Sequence, residues 1–165
     1  MVLISIDPGY AITGWAVIQQ EKEIITLLDS GAIQVKEKKF YNRLLEITRT
    51  LDRLLSRYKP RQACIEKIFF NKNIKTAMDV AQVRGAISLI LLKRDIPIFD
   101  YTPLQVKQAV AGYGQASKIQ VQKMVQLLLN LKTLPTPDDM ADAIALGICH
   151  IHSMKLKTLM ERTEK

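Results

Sequence analysis

Val2-Leu3-Ile4-Ser5-Ile6-Asp7-Pro8-Gly9 opens the chain with an almost unbroken apolar run that stops at an acid and a turn. A run this short, without polar alternation, reads as a buried strand, and Pro8-Gly9 cannot continue it. Such a strand needs neighbours on both sides. Residues 13–18 supply a second strand, Glu21-Lys22 turns the chain, and residues 24–35 carry a third that Ser30-Gly31 interrupts. The links are too short for a helical crossover, so these strands form an antiparallel meander.

Beyond the meander the period changes. Tyr41, Leu44, Leu45, Thr48, Leu51, Leu54, Leu55 and Tyr58 recur at helical spacing until Pro60 ends the helix. Ala63-Cys64-Ile65-Glu66 is a short buried strand with a charge at its end. A helix rich in small residues, including Ala77, Ala81, Gly85, Ala86 and Ser88, follows over about residues 74–93. Ile96-Pro97-Ile98-Phe99 is a fifth strand. Thr102-Pro103 is a good N-cap and first-turn pair for a short helix, which Gly112-Tyr113-Gly114 breaks. Ser117 caps a helix to about Leu131. Pro135-Thr136-Pro137 is a rigid loop, after which Asp138 or Asp139 caps a last helix through His152. The expected fold is a single α/β domain over residues 1–155, with a mixed five-stranded sheet of three antiparallel and then two parallel strands, flanked by helices. Residues 156–165 are expected to be a short charged tail.

Composition narrows the function. The chain has 165 residues, 48% of them hydrophobic, enough for a sizeable core. Its only two cysteines, Cys64 and Cys149, sit in apolar runs with no paired spacing, so they read as small core residues. No apolar run approaches the ~18 residues of a membrane span, and no basic leader precedes the first strand. A soluble cytoplasmic protein, without a membrane partner, is expected. The net charge of +8 and pI near 9.5 suit a polyanion such as nucleic acid.

Against that positive background, four acids stand out. Asp7 closes the first strand and Glu66 the fourth, and ends of strands are where α/β proteins place their sites. Asp139 and Asp142 are three apart and share a helix face. Each has an ordinary structural reading: Asp7 as a turn residue, Asp139 as a cap, Glu66 as an exposed strand end. Asp142 resists that reading, because it lies within Met140-Ala141-Asp142-Ala143-Ile144-Ala145-Leu146, where a charge needs a partner. Carboxylates brought together are tolerable when divalent cations neutralise them, and ligand sets of oxygen alone suit magnesium or manganese. Two such ions about 4 Å apart can cleave a phosphodiester, so a basic protein with these acids points to a nuclease.

At this point the chain resembles the RuvC crossover-junction endodeoxyribonucleases of the ribonuclease H-like superfamily, over residues 2 to about 153. The motifs are Ile6-Asp7-Pro8-Gly9 with Thr13-Gly14, Ile65-Glu66-Lys67-Ile68-Phe69, Ala81-Gln82-Val83-Arg84-Gly85 and Gln105-Val106-Lys107. They continue through Gly112, Gly114, Ala116-Ser117-Lys118 and Gln120-Val121 to Asp139-x-x-Asp142-Ala143-x-Ala145. Singly these are weak; their order and spacing together are specific.

The resemblance implies that Asp7, Glu66, Asp139 and Asp142 are the catalytic, metal-binding carboxylates, holding two magnesium ions for which manganese can substitute. Spacing alone also admits Asp138, four residues before Asp142; the family spacing selects Asp139 and leaves Asp138 as the cap. Phe69 falls where the family places an aromatic that stacks on bases near the junction, and Lys107 and Lys118 where lysines approach the cut phosphate. Lys72, in the basic loop directly after Glu66, is a further DNA-contact candidate. Arg43, Arg49, Arg53 and Arg57 read as the solvated face of their helix. The implied protein is a homodimer that resolves four-way junction DNA by paired symmetric cuts during recombination and repair. The small-residue helix around Gly85 is a candidate for the dimer contact, and RuvA and RuvB are the expected partners. The alternatives are a nuclease acting on RNA–DNA hybrids or RNA, and a junction binder without catalysis.

Overall fold

The computed structural model describes residues 1–37, 39–68 and 74–163. Strands β1 (Val2–Asp7), β2 (Ile12–Glu21) and β3 (Ile24–Gln34) form the expected antiparallel meander. Helix α1 (Phe40–Tyr58) leads to β4 (Gln62–Glu66), which pairs parallel to β1; helix α2 (Ile74–Leu92) leads to β5 (Ile98–Tyr101), parallel to β4. Helices α3 (Pro103–Ala111), α4 (Lys118–Leu128) and α5 (Asp138–Thr163) complete the chain, and the sheet order is β3-β2-β1-β4-β5. Among the described residues no helix is long and apolar enough to cross a membrane.

Side-chain alternation along the strands assigns the two faces of the sheet. Ile4, Ile6, Val17, Ala63 and Ile65 pack with Ile47, Leu51 and Leu55 of α1 and Val83, Ile87 and Leu91 of α2. Leu3, Ala16, Ile18 and Cys64 pack with α3, α4 and the apolar face of α5, including Ile144, Leu146, Ile148 and Ile151. The odd-numbered positions of β1 and the even-numbered positions of β4 therefore belong to the α5 face. Asp7 and Glu66, each two residues beyond a member of that set, continue the same alternation.

Several expected boundaries move. Ser30-Gly31 does not interrupt β3, because Gly31 pairs with Trp15 and a Cβ there would lie 2.9 Å from the indole, so the glycine lets the ring lie across the strand. The irregularity lies instead at Leu28 of β3, the extra residue between Asp29, which pairs with Val17, and Leu27, which pairs with Ile18. The fifth strand begins at Ile98 and reaches Tyr101, since Pro97 has no N–H for the ladder, although its carbonyl accepts from Ala63 N at 2.9 Å. Thr102 and Ser117 cap α3 and α4 as expected, each in a reciprocal box with Gln105 and Gln120. Helix α4 stops at Leu128. Helix α5 does not end at His152 but runs through the expected tail to Thr163; no glycine or proline follows His152, and Lys155 pairs with Glu23 at the β2–β3 turn.

Helix α5 is bound to the sheet by a buried polar chain as well as by packing. His150 is fully buried, with Nδ1 2.8 Å from the Tyr101 hydroxyl, Nε2 2.9 Å from Gln62 Oε1, and the Phe99 ring tilted against it at 4.6 Å between centroids. The network assigns a neutral ring: Tyr101 O–H donates to Nδ1, and Nε2–H donates to Gln62. Burial pushes the imidazole down to about 4 from its ordinary 6.5. Its contribution to stability is therefore complete above pH 6.5 and is lost as pH falls toward 4, where the unfolded chain takes the proton first. Urea unfolding across that range should show a loss at this residue of up to about 3 kcal/mol, absent from His150→Gln. Equal pH dependence in the two proteins would show that the ring is not held neutral.

Candidate active site

The carboxyl ends of β1 and β4 lie side by side, with Ile6 paired to Ile65, so Asp7 and Glu66 leave adjacent strands on the α5 face. Asp7 pairs across the hairpin with Gly14. A Cβ on Gly14 would fall 1.8 Å from the Asp139 carbonyl oxygen, so glycine is the residue that lets the start of α5 touch β2 backbone to backbone. A second close approach lies further along the helix, where a Cβ on Gly147 would meet Ile18 at 2.5 Å and Ser5 at 2.9 Å. Together these contacts lay the first turns of α5 over the strand ends and bring Asp139 and Asp142 toward Asp7 and Glu66.

The four acids act on one another electrostatically. Asp7 is pushed up to about 8, first by burial and then by the charges of Glu66, Asp142 and Asp139. Glu66 is pushed up to about 7 by burial and Asp142, against the opposing pull of the Asp7 hydrogen bond, Lys107 and Lys118. Burial also raises Asp142, assisted by Asp138 and Asp139 and opposed by Lys118 and Lys107. Asp7 and Glu66 thus titrate as a pair, with Asp7 donating a shared proton to Glu66.

A group of oxygen donors whose charged forms are disfavoured by burial and by one another fits a hard divalent cation, and nothing in the set favours zinc. The fit is electrostatic, not a finished cage: among the described residues no three of His, Cys, Asp and Glu stand together at ligating distance. Of the expected phosphate-contacting residues, Lys107 and Lys118 are close enough for their fields to act on both Glu66 and Asp142. Phe69 and Lys72 lie outside the described residues.

Asp138 does not serve as the expected cap. Its Oδ1 accepts from Gln122 Nε2 at 2.9 Å and its Oδ2 lies 3.5 Å from Lys118 Nζ, so its carboxylate faces α4. The Pro137 carbonyl accepts instead from the Met140 and Ala141 N–H groups.

Arg43 was expected on the solvated face of α1. Instead it clamps the loop after Asp7: Nη1 donates to Tyr10 O at 3.2 Å, Nε and Nη2 donate to Glu37 O at 3.1 and 2.6 Å, and the guanidinium lies 4.4 Å from the Tyr10 ring centroid. Tyr10 in turn stacks on Phe40. Arg43 binds backbone carbonyls in two loops, a partnership that hydrophobic periodicity cannot reveal.

Comparison with known proteins agrees with this geometry. The family model "Crossover junction endodeoxyribonuclease RuvC" matches residues 3–150. The chain belongs to the RuvC family. The RuvC of Ruminiclostridium cellulolyticum is 48% identical over 161 residues, 97% of each chain, and that of Halothermothrix orenii is 48% identical over 157 residues, 94% of this chain and 95% of the relative. Among solved structures, Thermus thermophilus RuvC superposes with a TM-score of 0.87 at 31% identity, covering 96% of this chain and 98% of the other. The same RuvC in complex with a Holliday junction substrate gives 0.90 at 31% identity, covering 96% and 97%. The fold is that of this family, the ribonuclease H-like mixed sheet.

The raised Asp7 has a consequence for stability that does not depend on activity. Its folded pKa lies above the unfolded 3.8, so a stabilising contribution present below that pH is lost as pH rises toward 8. Asp7→Asn, which can still donate to Glu66, should be more stable than wild type by about 2 kcal/mol at pH 8 in chelator, with the gain shrinking toward pH 4. Denaturant titrations of both proteins measure this; no gain at pH 8 would contradict the raised carboxyl.

Proposed function

We propose that the protein is a Holliday junction resolvase: a homodimeric, magnesium-dependent endonuclease that makes paired symmetric cuts in four-way DNA during recombination and repair. The observation that carries this reading is the convergence of Asp7, Glu66, Asp139 and Asp142 in a RuvC-family fold, with Lys107 and Lys118 beside them. The Thermus relative in complex with a Holliday junction supports the substrate.

Asp7, Glu66, Asp139 and Asp142 would hold two magnesium ions, with manganese able to replace them. Bound divalent metal supplies an activated water for in-line attack and charge stabilisation for the departing 3′ oxygen. Ligation needs ionised carboxylates, so Asp7 must release the proton that it shares with Glu66. Lys107 and Lys118 neutralise charge developing on the phosphoryl group. The products carry 5′-phosphate and 3′-hydroxyl ends. Phe69 and Lys72 are assigned to junction contacts by their positions after Glu66. This reading places the protein in the cytoplasm as one nuclease unit, with RuvA and RuvB as partners.

The dimer is supported by α2. Met78, Ala81, Gly85, Leu89 and Leu92 follow one another at helical spacing and are all exposed, and a Cβ on Gly85 would meet nothing within 4 Å. An exposed apolar stripe with a glycine at its centre lets two copies approach closely about a two-fold axis. Gly85→Arg has room to fold as a monomer, so light scattering should give the protomer mass and paired cutting should be lost. A dimer surviving that substitution would place the interface elsewhere.

The cutting assay uses a labelled four-way junction in magnesium beside linear duplex, RNA–DNA hybrid and single strand. Wild type should nick the junction symmetrically, while Asp7→Asn, Glu66→Gln and Asp142→Asn each lose about 10³-fold or more of the rate and keep junction binding, since positive surface supplies most of the affinity. Preference for the hybrid would move the activity to a neighbouring nuclease class. Binding without cutting in either metal would leave a junction-binding protein.

A further inference from the structure

Lys118 occupies an unfavourable place for a cation. Ser117 is the N-cap of α4, so Lys118 is the first residue of the helix, at the positive end of its dipole. Its ammonium nevertheless lies 3.5 Å from Asp138 Oδ2, in the first turn of α5, where a carboxylate is favoured. The other oxygen of Asp138 accepts from Gln122 at 2.9 Å. Gln122 is buried, and its amide also donates to the Pro135 carbonyl at 3.4 Å, so its position is set by the fold. Lys118 and Gln122 are four residues apart on one face of α4 and grip the two oxygens of a single carboxylate. Asp138 is in turn four residues before Asp142, whose charge acts on Lys118 from the same helix.

We propose that Asp138 is a positioning residue, held by Gln122, that steers Lys118 from the start of α4 over the acid cluster, where it meets the phosphate being cut. The inference rests on the proposed nuclease reading and deepens it. Lys118 and Asp138 are largely exposed, so the pair contributes little to stability and acts chiefly by narrowing the positions of the ammonium. Asp138 points its carboxylate at α4, so removing it leaves the other four acids in place.

The test is a double-mutant cycle on single-turnover junction cutting at saturating enzyme. Asp138→Asn keeps an acceptor for Gln122 and loses the charge. It should slow cutting about tenfold when Lys118 is present, leave junction affinity within about twofold, and shift Tm by no more than about 3 °C. In the Lys118→Ala background the same substitution should add no further loss. Gln122→Leu, which frees Asp138, should slow cutting in the same direction and only with Lys118 present. Equal losses in both backgrounds, no loss, or faster cutting would overturn the positioning role. Failure of wild type to cut the junction would overturn the nuclease reading and this inference with it; wild-type cutting with an indifferent Asp138→Asn would overturn this inference alone.

Discussion

The backbone contact between Gly14 and Asp139 governs the site, because it sets how closely the start of α5 approaches the sheet. With any side chain at Gly14 the helix would have to lift or tilt, since the atom in the way is a carbonyl oxygen rather than a movable side-chain tip. Resting on β2 at this point and near Ser5 and Ile18 at Gly147, α5 carries its two acids over strand ends that already hold Asp7 and Glu66. Four carboxylates from three distant segments thus meet at one end of the sheet, where burial acts on Asp7, Glu66 and Asp142.

That arrangement works against stability. Desolvation is the first cause of the raised pKa in Asp7, Glu66 and Asp142 alike, and mutual repulsion adds to it. The apolar layers on both sheet faces must offset it, together with the neutral His150 bridge between α5, β5 and β4. The acid cluster at the start of α5 and the His150 bridge further along the same helix respond to pH in opposite directions: acidification relieves the repelling carboxylates while it strains the buried imidazole. Net pH stability in the metal-free protein is a balance between these two ends of the α5–sheet contact.

How much of this could be read from the chain follows from the range of each interaction. The strand-end acids were legible because burial and termination are local: an apolar run, an acid, then Pro-Gly or a charged neighbour. The antiparallel meander followed from link lengths, and the caps at Thr102 and Ser117 from the residues themselves, with Pro103 marking the first turn of α3. Asp142 was legible as a charge in an apolar helix. By contrast, Gly14 looks like an ordinary strand glycine until the opposing backbone is known. Arg43 looks like helix solvation until its carbonyl partners in two loops are known. Asp138 looks like a cap, since sequence cannot show that Lys118 and Gln122 reach across from another helix. Each of these is a contact between segments distant in the chain and directed at backbone or at a single polar atom, so it leaves no periodic trace. The length of α5 was underestimated because a charged stretch reads as a tail, although leucines and lysines propagate a helix well.

The sheet also divides the labour of the molecule. Its α5 face gathers the acids together with Lys107 and Lys118, while the other face is covered by α1 and α2, whose outward stripe is apolar. On the proposed reading, chemistry and self-association would fall on opposite sides of the sheet, and a two-fold axis through α2 would leave both acid clusters outside the contact. The protein as a whole carries a charge of +8, so the acidic site is a local reversal within a positive field. A polyanion is drawn to the surface everywhere, yet near the carboxylates it meets repulsion unless cations intervene. On the same proposed reading, affinity and cutting are thereby separated: lysines and arginines spread over the surface would hold the DNA, while the half-buried acids would decide whether a bound phosphate can react.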